Sequence, residues 1–255
     1  MKIITLNTWG GRAGKEELLS FLRKNADDTD IFCLQEIWSA PYEHLEGANA
    51  GGVEIKHQDI MVYGMQEIHN ALPNFSYYFH PHNQDNYGLM MLIRGDMDVS
   101  DAGDIFVHKY SGFVPEGDVG HHARNVQYVS LRHEGSKLTV MNFHGLWNGK
   151  GKIDSEDRIN QSQKIIDFIR TFDGKVILCG DFNLLLDTQS IKMFEDAGLR
   201  NLIREYKITS TRSSLYSKSE KFADYIFVSN SVEVRDFQVI NTEVSDHLPL
   251  SIEIK

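Results

Sequence analysis

Five segments of the sequence place acids, amides or imidazoles at points where apolar runs end. Carboxylates, amides and imidazoles are side chains that bind hard cations or transfer protons. Because buried strands normally end in arbitrary turn residues, this recurrence indicates one composite site built at the ends of separate strands. The candidate residues are Asn7, Glu36, His144, Asp181 with Asn183, and Asp246 with His247.

Each candidate also has an ordinary structural interpretation. Asn7 and the acid and amide of the GDFN segment suit turns, because Asp and Asn side chains bond their own backbone in loops. Glu36 suits a solvated position after a strand. The chain contains 11 histidines, so His144 and His247 are not distinctive by themselves. The informative feature is therefore the combination and its order along the chain.

The first elements predict a β-α-β unit. KIITLNTW is apolar and β-branched and breaks at Gly10 and Gly11, which predicts a buried strand with Asn7 at its carboxyl end. EELLSFLRKNA has helical apolar spacing, and IFCLQEIW predicts a second buried strand.

The middle of the chain predicts a helix over residues 57–72, in HQDIMVYGMQEIHNAL, and then a strand meander. NVQYVSLRHEG and KLTVMNFHG predict a hairpin that turns at Glu134 to Ser136 and carries His144 to a strand end. SEDRINQSQKIIDFIRTF predicts a long amphipathic helix capped by Ser155.

The last third returns to strands, in KVILCGDFN, FADYIFVS, VEVRDFQVI and PLSIEIK, with a short helix in IKMFEDAGL. Strands outnumber helices and the two alternate in both halves. This pattern predicts an α/β (α+β) fold, a four-layer α/β/β/α sandwich of two packed mixed β-sheets flanked by helices. At 255 residues we expect a single domain over residues 1–255.

Composition limits the classes of partner. The formal net charge of −10 disfavours tight binding of long duplex nucleic acid, which needs an extended Lys and Arg surface. Cys33 and Cys179 lie inside apolar runs, which indicates reduced buried thiols. No signal core or bilayer-length apolar stretch is apparent, so we expect a cytoplasmic protein without a membrane segment, and no protein partner is evident.

Six motifs occur in a fixed order over nearly the whole chain: LNTWGG, LQEIW, NFHGLW, CGDFN, FADYIFVS and SDHLPL. This ordered set resembles the endonuclease/exonuclease/phosphatase superfamily, which includes deoxyribonuclease I, abasic-site endonucleases, neutral sphingomyelinases and inositol polyphosphate 5-phosphatases. The match spans Asn7 to His247. The resemblance implies the deoxyribonuclease I-like fold and hydrolysis of a phosphoester.

The resemblance also implies roles for the candidates around a divalent cation. Phosphoester hydrolysis needs a hard cation, an activated water and donors for the developing charge, and Mg²⁺ prefers oxygen ligands, with Mn²⁺ as an alternative. Glu36 matches the first metal ligand, and Asn7 and Asp246 match positions close to the same ion. Asp181 matches the residue that orients or deprotonates the attacking water, and Asn183 matches an amide that donates to the phosphate.

Two histidines complete the implied site. His247 matches the terminal family histidine, and Asp224 in FADYIFVS matches the carboxylate that bonds it; the sequence leaves open whether the imidazole acts as a cation or as a base. His144 matches a histidine of the deoxyribonuclease-like members. It either protonates the leaving oxygen or donates to the phosphate.

Substrate contacts are assigned to Arg124, Arg212 and Trp147, because arginine binds phosphate bidentately and an indole stacks on a base. Three segments have the character of substrate-selecting inserts, namely residues 40–57, 109–122 and 147–155. In the second of them, His121 and His122 match no standard metal motif, and we expect a solvated loop.

The sequence therefore predicts a divalent-metal-dependent phosphoesterase that acts on a small phosphomono- or phosphodiester or on a short nucleic acid. A DNA repair endonuclease of the same superfamily is an alternative, which requires a basic face around the site. A non-catalytic scaffold module that retains the fold is a second alternative. Every matched polar position still carries a chemically competent residue, which argues against that scaffold.

Overall fold

The computed structural model describes residues 1–255, and two six-stranded sheets dominate it. Strands and helices are numbered in chain order. In spatial order the first sheet consists of Val234–Val239 (β13), Leu250–Ile254 (β14), Lys2–Asn7 (β1), Ile31–Trp38 (β2), Tyr87–Arg94 (β6) and Phe75–Asn83 (β5). Only β1 and β2 are parallel, and the other pairs are antiparallel.

The second sheet repeats this arrangement. In spatial order it consists of Leu199–Asn201 (β11), Asp224–Ser229 (β12), Lys175–Asp181 (β10), Ser136–His144 (β9), Arg124–His133 (β8) and Val99–His108 (β7). Its one parallel pair is β9 with β10. A separate two-stranded hairpin joins Asn49–Ala50 (β3) to Val53–Glu54 (β4).

Alternation of side chains along the central strands produces four layers. In β1 and β2, Ile3, Ile31 and Cys33 pack into the core cluster between the sheets, whereas Ile4 and Phe32 pack against the outer helices. The helices are Lys15–Ala26 (α1), Gly64–Ala71 (α2), Glu156–Ile169 (α3), Gln189–Asp196 (α4) and Leu202–Glu205 (α5). The predicted α/β/β/α sandwich of two mixed sheets is confirmed. None of these helices is long and apolar enough to cross a membrane.

A buried polar network joins the two sheets near their centre. Gln35 Nε2 on β2 donates to Asn142 Oδ1 on β9 at 2.7 Å, and Asn142 Nδ2 donates to Leu34 O at 3.0 Å and to Gln127 Oε1 at 3.1 Å. Both amides are fully buried. Because unpaired buried amides are costly, these bonds favour one relative position of the sheets.

The sequence prediction was wrong in parts of the inserts and edges. The helix expected over residues 57–72 begins only at Gly64, because Ile60 is extended and Met61 donates its backbone N–H to Gly10 O at 2.8 Å. The β3–β4 hairpin, strand β11 and helix α5 were not predicted. All three are too short to show a hydrophobic period.

We expect Asn142→Leu to lower the free energy of unfolding by about 3 kcal/mol, because it leaves the buried Gln127 Oε1 without a donor and removes the bonds to Gln35 and to Leu34 O. Urea unfolding followed by circular dichroism measures the change. Asn230→Leu, at an exposed turn, is the matched control and is expected to stay within about 0.5 kcal/mol of the parent. Equal stability of the two variants would show that the network does not hold the sheets together.

Candidate active site

Strand ends from both sheets meet at one edge of the sandwich. Asn7, His144 and Asp181 are the last residues of β1, β9 and β10. In the second sheet Asp181 lies in register between His144 and Asp224, so three functional side chains share one row. Gly180, with φ of 136°, leaves no room for a Cβ beside Phe143 O, which explains the glycine before Asp181.

A β-bulge in the first sheet directs Glu36 toward the same edge of the sandwich. The pairing of β2 with β6 shifts register between Leu34 and Ile37, and Glu36 within that shift has φ of 61°. A bulge redirects a side chain that strict alternation would send elsewhere. The same strand therefore buries Gln35 between the sheets and presents Glu36 to the cleft.

Asn7 bridges the acids of the two sheets. Its Nδ2 donates to Glu36 Oε1 and to Asp181 Oδ2, each at 2.9 Å, while its Oδ1 accepts from the backbone N–H of Trp9 at 2.9 Å. Both amide hydrogens and the amide oxygen are thus engaged within the protein. The structure places Asn7 as a donor between two carboxylates.

Asp181 lies at the base of the cleft among donors and cations. Its Oδ1 accepts from the backbone N–H of Asn183 at 2.8 Å. Burial by itself raises the pKa of Asp181, but His247, Lys152 and Arg212 outweigh it and hold the pKa below its ordinary value. Asp181 is therefore a carboxylate at neutral pH.

Asn183 and Lys152 form a second buried pair beside Asp181. Asn183 has φ of 54°, and its Oδ1 accepts from Lys152 Nζ at 2.6 Å while its Nδ2 donates to Gly145 O at 3.2 Å. Lys152 is almost fully buried, and burial lowers its pKa to about 8. Its ammonium group consequently loses its charge only above neutral pH.

His247 lies between carboxylates. Its Nδ1 is 2.8 Å from Asp224 Oδ1, and its Nε2 is 3.6 Å from Asp181 Oδ2 and 3.7 Å from Asp246 Oδ1. Burial and Arg212 lower the pKa of His247, but these three carboxylates together raise it above its ordinary value. The predicted pairing of Asp224 with His247 is present, and its surroundings favour the imidazolium.

His144 has the opposite surroundings. Its Nε2 lies 3.7 Å from Asp181 Oδ2 and 3.9 Å from Glu36 Oε1, and its Nδ1 lies 3.2 Å from Arg124 Nη1. Burial, Arg124 and His82 hold the pKa of His144 well below its ordinary value. Arg124 itself lines the cleft but is only 2% exposed, and its Nη1 is already engaged by His144.

Arg212 and Trp147 occupy the cleft wall. Arg212 Nη1 donates to Asp246 Oδ2 at 3.2 Å, and its guanidinium stacks 4.1 Å from the ring centre of Tyr216. The indole of Trp147 has Lys152 Nζ at 5.3 Å and Lys218 Nζ at 5.0 Å from its ring centre. The indole of Trp147 is therefore already engaged in cation–π contacts within the protein.

Together these residues line a cleft of about 210 Å³. Five Lys and Arg residues face it, against three acids, although the whole chain carries a net charge of −10. The cations are Arg12, Arg124, Lys152, Arg212 and Lys218, and the acids are Glu36, Asp181 and Asp246. The cleft combines a carboxylate cluster with a cationic wall, the charge pattern that suits a cation and an anionic ester together.

Asp181, Asp224 and His247 bring possible ligand atoms within 4.8 Å of one another. Nδ1 of His247 is already bonded to both oxygens of Asp224, at 2.8 and 2.9 Å, and a ligating imidazole must be uncharged. The hydrogen bonds between His247 and Asp224 therefore explain why these ligand atoms lie close together, without a metal ion. Free carboxylate oxygens are found instead on the other side, where Glu36 Oε2 makes no hydrogen bond and Asp246 Oδ1 receives only a long one, from Ser245 Oγ at 3.5 Å.

Three residues of the cleft were not predicted from the sequence. His122, expected in a solvated loop, is buried, because its ring stacks on His82 at 5.0 Å and its Nδ1 lies 2.8 Å from Ala123 O. Lys218 and Tyr216 were not identified, since no motif marks a residue that reaches the site through a loop. The insert glycine Gly51 packs against Trp147 and accepts its Nε1–H at 3.3 Å.

Comparison with known proteins identifies the family and the fold of this chain. The model of the Endonuclease/Exonuclease/phosphatase family matches residues 4–247. A search of curated proteins gave no sequence match. Among solved structures, a family protein of Bacteroides thetaiotaomicron has a TM-score of 0.75 at 18% identity, with 100% of this chain and 94% of that chain covered.

Two further structures carry an activity or a protein name. A mannosyl-6-phosphatase of Bacteroides thetaiotaomicron VPI-5482 has a TM-score of 0.70 at 19% identity, covering 100% of this chain and 99% of its own. A humanized D. rerio TDP2 has a TM-score of 0.69 at 17% identity, covering 100% and 98%. Such identities establish the common fold, and the family model, which matches nearly the whole sequence, establishes that this chain belongs to the endonuclease/exonuclease/phosphatase family of phosphoric ester hydrolases.

Proposed function

We propose that this protein is a divalent-metal-dependent phosphoesterase that uses water to cleave a small phosphomonoester or phosphodiester. The observation that carries the proposal is the convergence of three carboxylates, two histidines and a buried lysine on one cleft at the strand ends. These groups supply a cation site, a proton acceptor and donors for phosphate oxygens.

The donor set fits Mg²⁺ or Mn²⁺. Burial, together with the negative charges of Asp246 and Asp181, raises the pKa of Glu36, although the Asn7 amide and His247 oppose the rise. A cation would relieve that repulsion, and Glu36 Oε2 with Asp246 Oδ1 are oxygen ligands of the kind these ions prefer. When bound, the ion would supply positive charge to phosphate oxygens and lower the pKa of water. Asn7 then acts by orienting Glu36.

Asp181 is the best placed proton acceptor. It is ionised, it faces the cleft, and the Asn183 N–H and the Asn7 amide fix its two oxygens in space. A carboxylate held in this way can orient a water molecule and accept its proton. Its family-matched role is therefore supported by position, charge and fixed orientation.

Cations at the cleft stabilise charge on the phosphorus oxygens. The His247 imidazolium is oriented by Asp224, Lys152 is held by Asn183, and Arg212 is held by Asp246. Preorganised donors of this kind are among the largest contributors to catalysis of charged transition states. Because Asp224 holds Nδ1, the Nε2–H of His247 is directed toward the cleft.

Cleft dimensions support a small substrate or a chain end. A volume of about 210 Å³ is below the usual range for drug-sized ligands, and two lysine ammonium groups already lie near the Trp147 ring. The chain is acidic as a whole, which disfavours binding of long duplex nucleic acid around the cleft. This favours a small ester over the repair endonuclease.

The proposal is tested by hydrolysis of a panel of esters with Mg²⁺ or Mn²⁺ and with EDTA. The panel contains abasic duplex DNA, single-stranded DNA, RNA, nucleotides, inositol phosphates and a nitrophenyl diester. It also contains a sugar 6-phosphate and a 2′,3′-cyclic phosphate, the ester types named for two structural neighbours. EDTA-sensitive turnover of a small ester is expected. Turnover of abasic DNA alone would favour the endonuclease, and binding without turnover would favour the scaffold.

We expect Asp181→Asn to lower kcat by about 10³-fold without unfolding the protein, because the change removes the proton acceptor and keeps its shape. Initial rates on the preferred ester and a thermal melt measure the two effects. Asp173→Asn, at an exposed position after α3, is the matched control and is expected to match the parent. Wild-type rates in Asp181→Asn would remove Asp181 from the mechanism.

We expect Glu36→Gln to weaken Mg²⁺ binding on the order of 10- to 100-fold, because a ligand charge is lost while the acceptor for Asn7 remains. Calorimetric titration of metal without substrate measures this directly. Glu116→Gln, in an exposed loop, serves as the control. An unchanged metal titration would place the ion elsewhere.

We expect kcat/KM to fall as pH rises through about 8, because burial lowers the pKa of Lys152 to about 8 and the cleft loses that positive charge. Lys152→Arg keeps its charge at any accessible pH, so its profile is expected to lack this fall. Lys150→Arg, on the exposed part of the same loop, is expected to retain it. An identical fall in Lys152→Arg would assign it to another group.

A further inference from the structure

Two histidines that line the cleft, His247 and His144, have chemically opposite hydrogen-bond partners at Nδ1. His247 presents Nδ1 to the carboxylate of Asp224, which can only accept a hydrogen bond when ionised. His144 presents Nδ1 to the guanidinium of Arg124, at 3.2 Å, and a guanidinium can only donate. Nδ1 of His144 must therefore be the acceptor.

We propose that Arg124 is a positioning residue that fixes His144 in the tautomer with hydrogen on Nε2 and so directs that N–H to a phosphate oxygen of the substrate. The inference rests on the phosphoesterase function proposed above. It chooses between two roles that the sequence leaves open for His144. In this role no bond to hydrogen breaks at His144, and the leaving oxygen takes its proton from another group.

The surroundings of Arg124 hold it in this position. It is the first residue of β8, it is only 2% exposed, and its Nη2 donates to Gly120 O at 3.4 Å. No carboxylate lies within salt-bridge distance of it, so its charge is not consumed by a direct ion pair. His144 is the only side chain with which Arg124 forms a hydrogen bond, so this contact is the one through which a side-chain partner can be positioned by Arg124.

The other ring nitrogen of His144 is left available. Nε2 lies 3.7 Å from Asp181 Oδ2 and 3.9 Å from Glu36 Oε1, and both separations exceed hydrogen-bond length. His144 also lines the cleft. The Nε2–H consequently has no acceptor in the protein and is available to a substrate oxygen in the cleft.

The ring positions around His144 support a fixed orientation. Its ring lies 5.8 Å from that of His82, and the ring of His82 stacks on His122 at 5.0 Å. The hydrogen-bonding Nδ1 atoms of these two rings lie at 2.9 Å from Asn125 Oδ1 and 2.8 Å from Ala123 O. Neither ring therefore competes with Arg124 for Nδ1 of His144.

The tautomer can be measured without any turnover. Long-range ¹H–¹⁵N correlation spectra of the Mg²⁺-loaded, histidine-labelled protein report which ring nitrogen carries hydrogen, and His144→Gln assigns the signal. The expected result is hydrogen on Nε2 of His144 in the wild type and loss of that fixed pattern in Arg124→Met. Hydrogen on Nδ1 in the wild type would overturn the proposal, even if Arg124→Met does not fold.

A double-mutant cycle tests whether Arg124 acts through His144. We expect Arg124→Met to lower kcat/KM on the order of 10- to 100-fold in the wild type, and less than about threefold in His144→Gln. Arg124→Lys, which restores a donor, is expected to recover part of the loss and to regain the Nε2–H signal. Equal losses in both backgrounds would assign Arg124 a purely structural role.

The two proposals fail in different ways. If the wild type hydrolyses no ester, the proposed function fails, while the tautomer spectrum still tests the pairing of Arg124 with His144. If turnover is found but the spectrum places hydrogen on Nδ1, only the inference about Arg124 fails.

Discussion

The side-chain amide of Asn7 is the contact on which the site depends. It donates to a carboxylate of each sheet, Glu36 from the first and Asp181 from the second, with both bonds at 2.9 Å. An amide nitrogen has only two hydrogens, so this geometry exists only when the sheets pack in one relative position. Gln35 directly precedes Glu36, and its buried hydrogen bond to Asn142 favours the same relative position of the two sheets. The stability of the sandwich and the geometry of the cleft therefore have a common cause.

Charge is the second constraint on the cleft. Three acids gathered under low exposure repel one another, and the raised pKa of Glu36 and the lowered pKa of Asp181 show that the acids are not equivalent. Asp181 is next to the cations, whereas Glu36 is not compensated by the protein alone. Negative charge is therefore uncompensated beside Glu36, where a cation would be stabilised most. Beside Asp181 the negative charge is compensated, as a proton acceptor that stays ionised would require.

The sequence predicts the strands and helices of this protein better than the contacts between their side chains. Apolar runs and turn residues predicted most of the long strands, and the strand-end residues identified Asn7, Glu36, His144 and Asp181 as neighbours. The Glu36 bulge could not be predicted, because IFCLQEIW predicts a buried strand and no residue in it marks a shift of register. The partners of Arg124 could not be predicted either, since a sequence shows that an arginine is present but not whether it faces phosphate or a histidine.

Residues distant in sequence explain the remaining errors. The ring of His122 packs on His82 in strand β5. This contact buries part of a loop that its composition alone describes as solvated. Lys152 becomes a buried cation only because Asn183, across the loop, accepts from it. Both outcomes depend on three-dimensional pairing, which residue type and local spacing do not encode.

The three insert-like segments, residues 40–57, 109–122 and 147–155, meet in one wall of the cleft. The hairpin glycine Gly51 takes its position from Asp118, whose carboxylate accepts the Gly51 N–H, and Gly51 in turn accepts from the Trp147 indole. Each of these residues belongs to a different insert, so the three inserts form one wall. Trp147 contacts Lys152 and Lys218 through its ring, which joins that wall to the pair formed by Lys152 with Asn183. A change of shape in any insert would then reach the reacting centre through Lys152, whereas Asn7, Glu36 and Asp181 remain fixed by the sheets.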